Sequence, residues 1–272
     1  MPGSGSDRRR PARTRLGTVS RRQLALDMVR AREFVSVSDL AAGLGVSIVT
    51  ARADVMHLAG AGLVRRVRGG AIITRQENRE PPFEVRLGTY AQEKAAVGTA
   101  AAGLVEPGSA VVLDGGTTCL AVAKALVASP QLEGVTVYTP ALSTAMALEA
   151  AASRITVVVT GGTVYPKAHT LGGPYSELIL ERVIGSVAFI GCNGVSDVDG
   201  ISAATPIDAE LKRRLLASAK YRVAVTDASK FVEHGTVRVC QVGEVDLILT
   251  SGALESELVD DVTRAGGAVR QV

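Results

Sequence analysis

The run Leu113-Asp114-Gly115-Gly116-Thr117-Thr118 has the composition of an anion cradle. Glycines let the backbone approach a ligand closely, amides at the start of a following helix point at it, and threonine hydroxyls add donors. The run lacks the lysine of a Walker A loop and the Gly-x-Gly-x-x-Gly spacing of a dinucleotide fold. Other polar groups follow other apolar runs in the same way: Thr139, Gly161-Gly162 and Asp227-Ala228-Ser229-Lys230. A lysine in such a place neutralises a phosphate or carboxylate as a point charge. A different chemistry lies nearer the N-terminus, where Arg65, Arg66 and Arg68 adjoin Gly69-Gly70 and Arg52 follows Thr50. Those side chains suit the phosphates and base edges of duplex DNA. Taken singly, each feature is ordinary: a tight turn, a solvated lysine, a capping serine. The reading rests on their convergence.

Two kinds of element must position these groups. In the first quarter, a helix is expected from near Ser20, with Leu24, Met28 and Val29 on one face and Arg21, Arg22, Arg30 and Arg32 elsewhere. Ser38 is the expected N-cap of a second helix, Asp39 to Leu44, which Gly45 ends. Ser47 then caps a third helix, from about Ile48 to Ala59, completing a helix-turn-helix pattern. Leu63–Val67 and Ala71–Thr74 read as two strands around Arg68-Gly69-Gly70, the wing of a winged helix. The second helix of such a motif enters the major groove by its N-terminal turns. Those turns carry Thr50, Ala51, Arg52 and Ala53, with Thr50 and Arg52 the expected contacts. The candidate DNA-binding set is Ser38, Ser47, Thr50, Arg52, Arg65, Arg66 and Arg68, the wing arginines facing flanking backbone or minor groove.

Beyond Pro81-Pro82, residues Phe83 to about Leu104 are expected to form one bridging helix. Strands and helices then alternate: strands at 110–114, 135–139, 155–160, 187–191, 222–226 and 245–250, helices near 118–128, 141–152, 175–184, 207–219 and 254–265. Continuous apolar strands between helices indicate a parallel sheet covered on both faces, and ligands of such sheets bind at the carboxyl ends of strands. The fold class is α/β: an N-terminal winged helix-turn-helix, then a doubly wound, mostly parallel domain. The expected boundaries are a disordered basic tail over 1–17, the DNA-binding domain over 18–75, a linker over 76–92 and the α/β domain over 93–272.

Charge divides along the same line. Residues 1–75 hold 14 Arg, no Lys and 5 acidic residues, a net +9, whereas the remainder is −6. A basic first quarter suits a polyanion. Aromatic residues are only 3% of the 272, which argues against stacking platforms for single strands. The cysteines, Cys119, Cys192 and Cys240, match no disulfide framework and no zinc spacing, so a reducing, cytoplasmic setting is expected. No apolar run approaches a membrane span, and neither metal nor cofactor is expected.

The first segment resembles the DeoR family of bacterial regulators through Val37-Ser38-Asp39-Leu40-Ala41, Leu44-Gly45-Val46-Ser47, Thr50-x-Arg52-x-Asp54, Leu58, Gly62-Leu63-Val64-Arg65 and Gly69-Gly70-Ala71. The family usually carries two successive arginines in the recognition helix, where this chain has Arg52-Ala53, and a wing histidine where it has Arg68. The second segment resembles the family's sensor domain from Glu93-Lys94 to Phe231, through Leu113 to Thr118, Gly161-Gly162, Leu171-Gly172-Gly173-Pro174, Phe189 to Val195, Asp208-Ala209-x-x-Lys212 and Asp227-x-Ser229-Lys230-Phe231. Asp208 stands where the family usually has Glu, and Pro140 where it has Asn.

The resemblance implies a fold like that of the ribose-5-phosphate isomerase and CoA-transferase group, with a small phosphorylated metabolite as effector. Carried over, Gly116, Thr117 and Thr118 hold the phosphate, and Asp114, Lys212 and Lys230 complete the pocket. The candidate set also includes Asp208, at the family's Glu position, and Thr139 and Gly162 as polar strand-end groups. The resemblance further implies a repressor of carbohydrate-metabolism genes, acting on a double-stranded DNA operator. A homo-oligomer, at least a dimer, is expected because paired helix-turn-helix units read repeated half-sites. Two other readings remain open on the residues alone. One is an isomerase-like enzyme with a DNA-binding arm, using Asp114, Asp208, Lys212 and Lys230 as acid–base groups. The other is a structural DNA binder without an effector.

Overall fold

The computed structural model describes residues 18–32, 34–60, 63–67, 69–73, 81–166 and 168–272. The chain divides into two compact units between Arg75 and Gln76. The expected tail over 1–17, Arg68, and residues 74–80 of the expected connection lie outside the described residues.

The first unit consists of α1 (Thr18–Arg32), β1 (Phe34–Ser36), α2 (Val37–Leu44), α3 (Ile48–Gly60), β2 (Val64–Val67) and β3 (Gly70–Ile73). Its strands form an antiparallel sheet in the order β1-β3-β2. Phe34 to Ser36, expected only to interrupt a helix, is thus the third strand of the wing sheet. The core gathers Ala25, Leu26 and Val29 from α1 with Leu40, Leu44, Val55, Leu58 and Val64. Leu24 is 43% exposed, contrary to expectation, because the inward stripe of α1 runs through 25, 26 and 29. The N-cap of α2 is Ser36 and not Ser38: Ser36 has extended backbone where β1 ends, and its hydroxyl accepts from the Asp39 amide at 3.0 Å. Ser38 already lies within the first turn. Gly45 ends α2 in the left-handed conformation, the C-terminal role expected of it.

The second unit opens with α4 (Phe83–Gly88) and α5 (Ala91–Ala102). One continuous helix was expected here, and 81–92 were expected as linker. Instead Tyr90 adopts φ 52 and breaks the helix, while the Lys94 ammonium donates to the last carbonyls of α4, Arg86 O at 2.8 Å and Thr89 O at 2.6 Å. There follow β4 (Ala110–Leu113), α6 (Thr117–Val127), β5 (Val135–Thr139), α7 (Leu142–Leu148), β6 (Ile155–Val159), β7 (Thr163–Tyr165), β8 (Thr170–Gly172), α8 (Pro174–Leu180) and β9 (Gly185–Ile190). The chain ends with β10 (Gly194–Ser196), β11 (Gly200–Ala203), α9 (Pro206–Ala217), β12 (Ala219–Asp227), β13 (Val237–Cys240), β14 (Leu247–Ser251), α10 (Ser256–Arg264) and β15 (Val269–Gln271).

Seven strands form one sheet in the order β15-β14-β12-β9-β4-β5-β6, parallel at every pairing. Side chains alternate across it. Val111, Leu113 and Phe189 pack under α5, α6 and α7, whereas Val112, Ala188 and Ile190 pack against α8, α9 and α10. Burial on both faces is why these strands read as unbroken apolar runs. Phe189 is fully buried; truncation to alanine there costs about 3–5 kcal/mol. Two smaller features were not expected, the β7–β8 hairpin and an antiparallel sheet β10-β11-β13.

Candidate functional site

In the first unit, α3 buries Ala51, Asp54, Val55 and Leu58 and turns Val49, Arg52, Ala53 and Met56 outward. Ser47 caps the helix, its hydroxyl accepting from the Thr50 amide at 3.1 Å and lying 2.8 Å from Thr50 Oγ1. Thr50 therefore engages the cap, and Ala51, expected among the presented residues, is buried. The outward stripe has an i, i+3, i+4, i+7 spacing that includes Val49, 75% exposed, and Met56, 59% exposed. Sequence reasoning passed over these two because apolar side chains read as core. On a recognition helix, apolar contacts suit thymine methyl groups. Ser38 is exposed on α2 and Arg66 is exposed on β2; Arg65 occupies the same strand.

Two expected surface arginines behave differently. Arg21 Nε donates to Asp54 Oδ2 at 2.7 Å and Arg22 Nε to Asp54 Oδ1 at 3.2 Å, tying α1 to α3. Burial pushes the Asp54 carboxyl up, but hydrogen bonds from Arg21 and then Arg22 outweigh it and hold the group below the usual carboxylate range. These charges lock the unit together, so part of its net +9 serves the fold.

In the second unit, the carboxyl ends of adjacent strands β12, β9 and β4 bring most of the expected groups together. Asp114, just past β4, is buried, and its Oδ2 accepts from Lys212 Nζ at 2.5 Å and from the Gly191 amide at 3.1 Å. Lys212 also reaches Asp208 Oδ1 at 3.1 Å, one turn away on α9, so the shorter Asp208 still completes the pair. Burial alone would lower the Lys212 pKa; the carboxylates of Asp114 and then Asp208 outweigh that and keep the ammonium charged.

Beside this ion cluster the chain turns into α6. Gly116 caps the helix with φ 91, a conformation a side chain resists, and a Cβ at Gly115 would fall on Thr170 Oγ1. No side chain caps α6, and among the described residues no acceptor meets the amides of Gly116, Thr117 and Thr118. Lys230, in the turn after β12, pairs with Glu233 and lies within electrostatic reach of Lys94. Two expected members are placed otherwise. Thr139 is fully buried and its hydroxyl accepts from the Ala141 amide at 3.1 Å, so it shapes the turn after β5 and exposes nothing to a ligand. Gly162 packs against the carbonyl of Gly172 and the hydroxyl of Ser176 in the hairpin region.

Arg86, on α4, was missed: its guanidinium lies 4.0 Å from where a Gly116 Cβ would be. Its neighbour Phe83 stacks on His169 at 4.3 Å between ring centroids, and His169 Nε2 is 3.3 Å from Glu84 Oε1. The segment had been read as connection, which hid its place beside the cradle.

Comparison with known proteins agrees with this architecture. Residues 21–77 match the DeoR-like helix-turn-helix domain and residues 89–252 match the DeoR C terminal sensor domain. The chain is 34% identical to the uncharacterised HTH-type transcriptional regulator YgbI of Escherichia coli K12, over 87% of this chain and 91% of that protein. It is 30% identical to the HTH-type transcriptional regulator GolR of Listeria innocua, over 87% and 91%. With the HTH-type transcriptional repressor GlcR of Bacillus subtilis it shares 29%, over 89% and 91%. Among solved structures, the full-length sorbitol operon regulator SorC from Klebsiella pneumoniae is similar at 11% identity, covering 91% of this chain and 99% of that one with a TM-score of 0.39. The chain belongs to the DeoR family of HTH-type transcriptional regulators.

Proposed function

We propose that this regulator represses carbohydrate-metabolism genes and leaves its operator when a phosphorylated sugar or related metabolite occupies the cradle at the start of α6. The observation that carries the effector half is the row of amides of Gly116, Thr117 and Thr118 that meet no acceptor among the described residues. They sit at a helix start beside a strand end, where a parallel sheet binds anions. In this reading the amides hold the phosphate, Lys230 adds charge, and Asp114, Lys212 and Asp208 fix the floor. For the DNA half, Arg52 contacts base edges or phosphate, Ser47 caps the recognition helix, Ser38 offers an exposed hydroxyl on α2, and Arg65, Arg66 and Arg68 engage the backbone. Repression agrees with the name of the relative GlcR. The protein works in the cytoplasm as at least a dimer, since paired helix-turn-helix units read repeated half-sites.

The site favours sensing over catalysis. A general acid or base needs a proton-transfer group facing the reacting atoms, whereas Asp114 and Lys212 neutralise one another in a buried pair. Thermal melting of the full chain with a panel of sugar phosphates, and with the same sugars unphosphorylated, tests the reading. Stabilisation by one or more phosphorylated compounds alone is expected. Equal response to the free sugars, or turnover of a sugar phosphate, overturns it.

A further inference from the structure

The structure places a cation beside the cradle on an element that no motif marks, and among the described residues that element is the first of the second unit. Arg86 lies on α4, with its Nη1 atom 4.0 Å from the Cβ position of Gly116. Its Nε donates to the Pro81 carbonyl at 3.0 Å, and its guanidinium carbon stands 5.8 Å from the Phe83 ring centroid, so the side chain is oriented at its own helix. Phe83 is buried and stacks on His169, whose carbonyl accepts from Leu142 at the start of α7. The far end of α4 is held by Lys94, which donates to Arg86 O and Thr89 O. Lys94 is itself buried, and the charges acting on it are Asp227 first, then Lys230, Arg86 and Glu93. Arg86 thus brings a cation from a separate element to within reach of amides that meet no acceptor among the described residues, a placement that favours an anion.

We propose that Arg86 binds the effector's phosphate directly and that α4, drawn towards the cradle through it, is the element by which an occupied pocket acts on the chain leading to the DNA-binding unit. This rests on the pocket assigned above and adds a ligand to it. A guanidinium offers a planar fork of donors to a phosphate, where Lys230 offers a point charge. Because α4 is only six residues long and separated from α5 at Tyr90, it can shift without moving the sheet.

The experiment is hydrogen exchange of the full chain with inorganic phosphate as probe, at ionic strength matched with chloride, joined to phosphate titrations of Arg86→Gln and Arg86→Lys. Phosphate is expected to slow exchange in both 115–120 and 83–88. Arg86→Gln is expected to weaken phosphate by about tenfold and, at saturation, to protect 115–120 alone; Arg86→Lys retains most of the affinity, weakening it by about threefold. Protection of 115–120 without 83–88 in the wild type, or wild-type affinity in Arg86→Gln, overturns the role of Arg86 and leaves the pocket standing. No protection of 115–120 in the wild type removes the pocket, and the inference with it. If Arg86→Gln does not fold, the wild-type exchange and Arg86→Lys still decide.

Discussion

Lys212 Nζ stands 2.5 Å from Asp114 Oδ2, joining α9 to the end of β4 across 98 residues of sequence. Both side chains are almost wholly buried, and the Gly191 amide and Asp208 carboxylate satisfy much of what remains. The strand that supplies the cradle and the helix across from it thus share one charge pair, which fixes where the loop 115–118 begins.

Removing one member leaves an unpaired buried charge. Lys212→Met or Asp114→Leu alone is expected to cost about 3–5 kcal/mol in urea unfolding, and the double variant much less than the sum. Additive losses would mean that the two groups act independently.

Asp54 is expected to stabilise the first unit above the ordinary carboxylate range. Its folded pKa lies below 3.8, so its contribution is present at neutral pH and is lost as pH falls below about 4. Asp54→Asn should weaken protection of α1 and α3 amides by about 1–3 kcal/mol at pH 7 and flatten their acid dependence. An unchanged acid profile would contradict the role of the Arg21–Asp54–Arg22 cluster.

Much of this was legible in the sequence, and the reasons for the gaps are physical. Unbroken apolar strands announced a sheet buried on both faces, and Gly45 with Ser47 announced the turn between α2 and α3. Arg21 and Arg22 read as surface charge because their partner, Asp54, lies 33 and 32 residues away, a pairing that periodicity cannot reveal. Thr139 has the residue type and strand-end position of a ligand donor, yet its hydroxyl turned inward to the Ala141 amide. The α4–α5 break went unseen because nothing local forbids a helix through 83–104; Lys94, capping the carbonyls of Arg86 and Thr89, stabilises the break from within the tertiary structure.

Lys94 gives a pH signature of its own. Burial lowers its pKa from 10.5 to about 8, so between those values the unfolded chain binds the extra proton and stability rises with pH. Relative to Lys94→Met, the wild type is expected to gain up to about 3 kcal/mol as pH climbs through that window. A difference that stays constant from pH 7 to 10.5 would show that the ammonium titrates as it does in water.

The two halves should separate by mutation. Arg52→Ala is expected to weaken specific DNA binding by about 1–3 kcal/mol while the fold is kept. Lys230→Ala should keep DNA affinity and lose the response to a phosphorylated effector. The reverse pattern would exchange the roles assigned to α3 and the cradle.

Coupling of an operator to a phosphorylated metabolite in one chain is measured directly by binding of the full-length protein to its own upstream DNA, at fixed salt, with and without a panel of sugar phosphates. Sequence-specific binding that one phosphorylated compound releases, and its unphosphorylated counterpart does not, is the predicted result. Specific binding that no compound alters, or none at all, contradicts it.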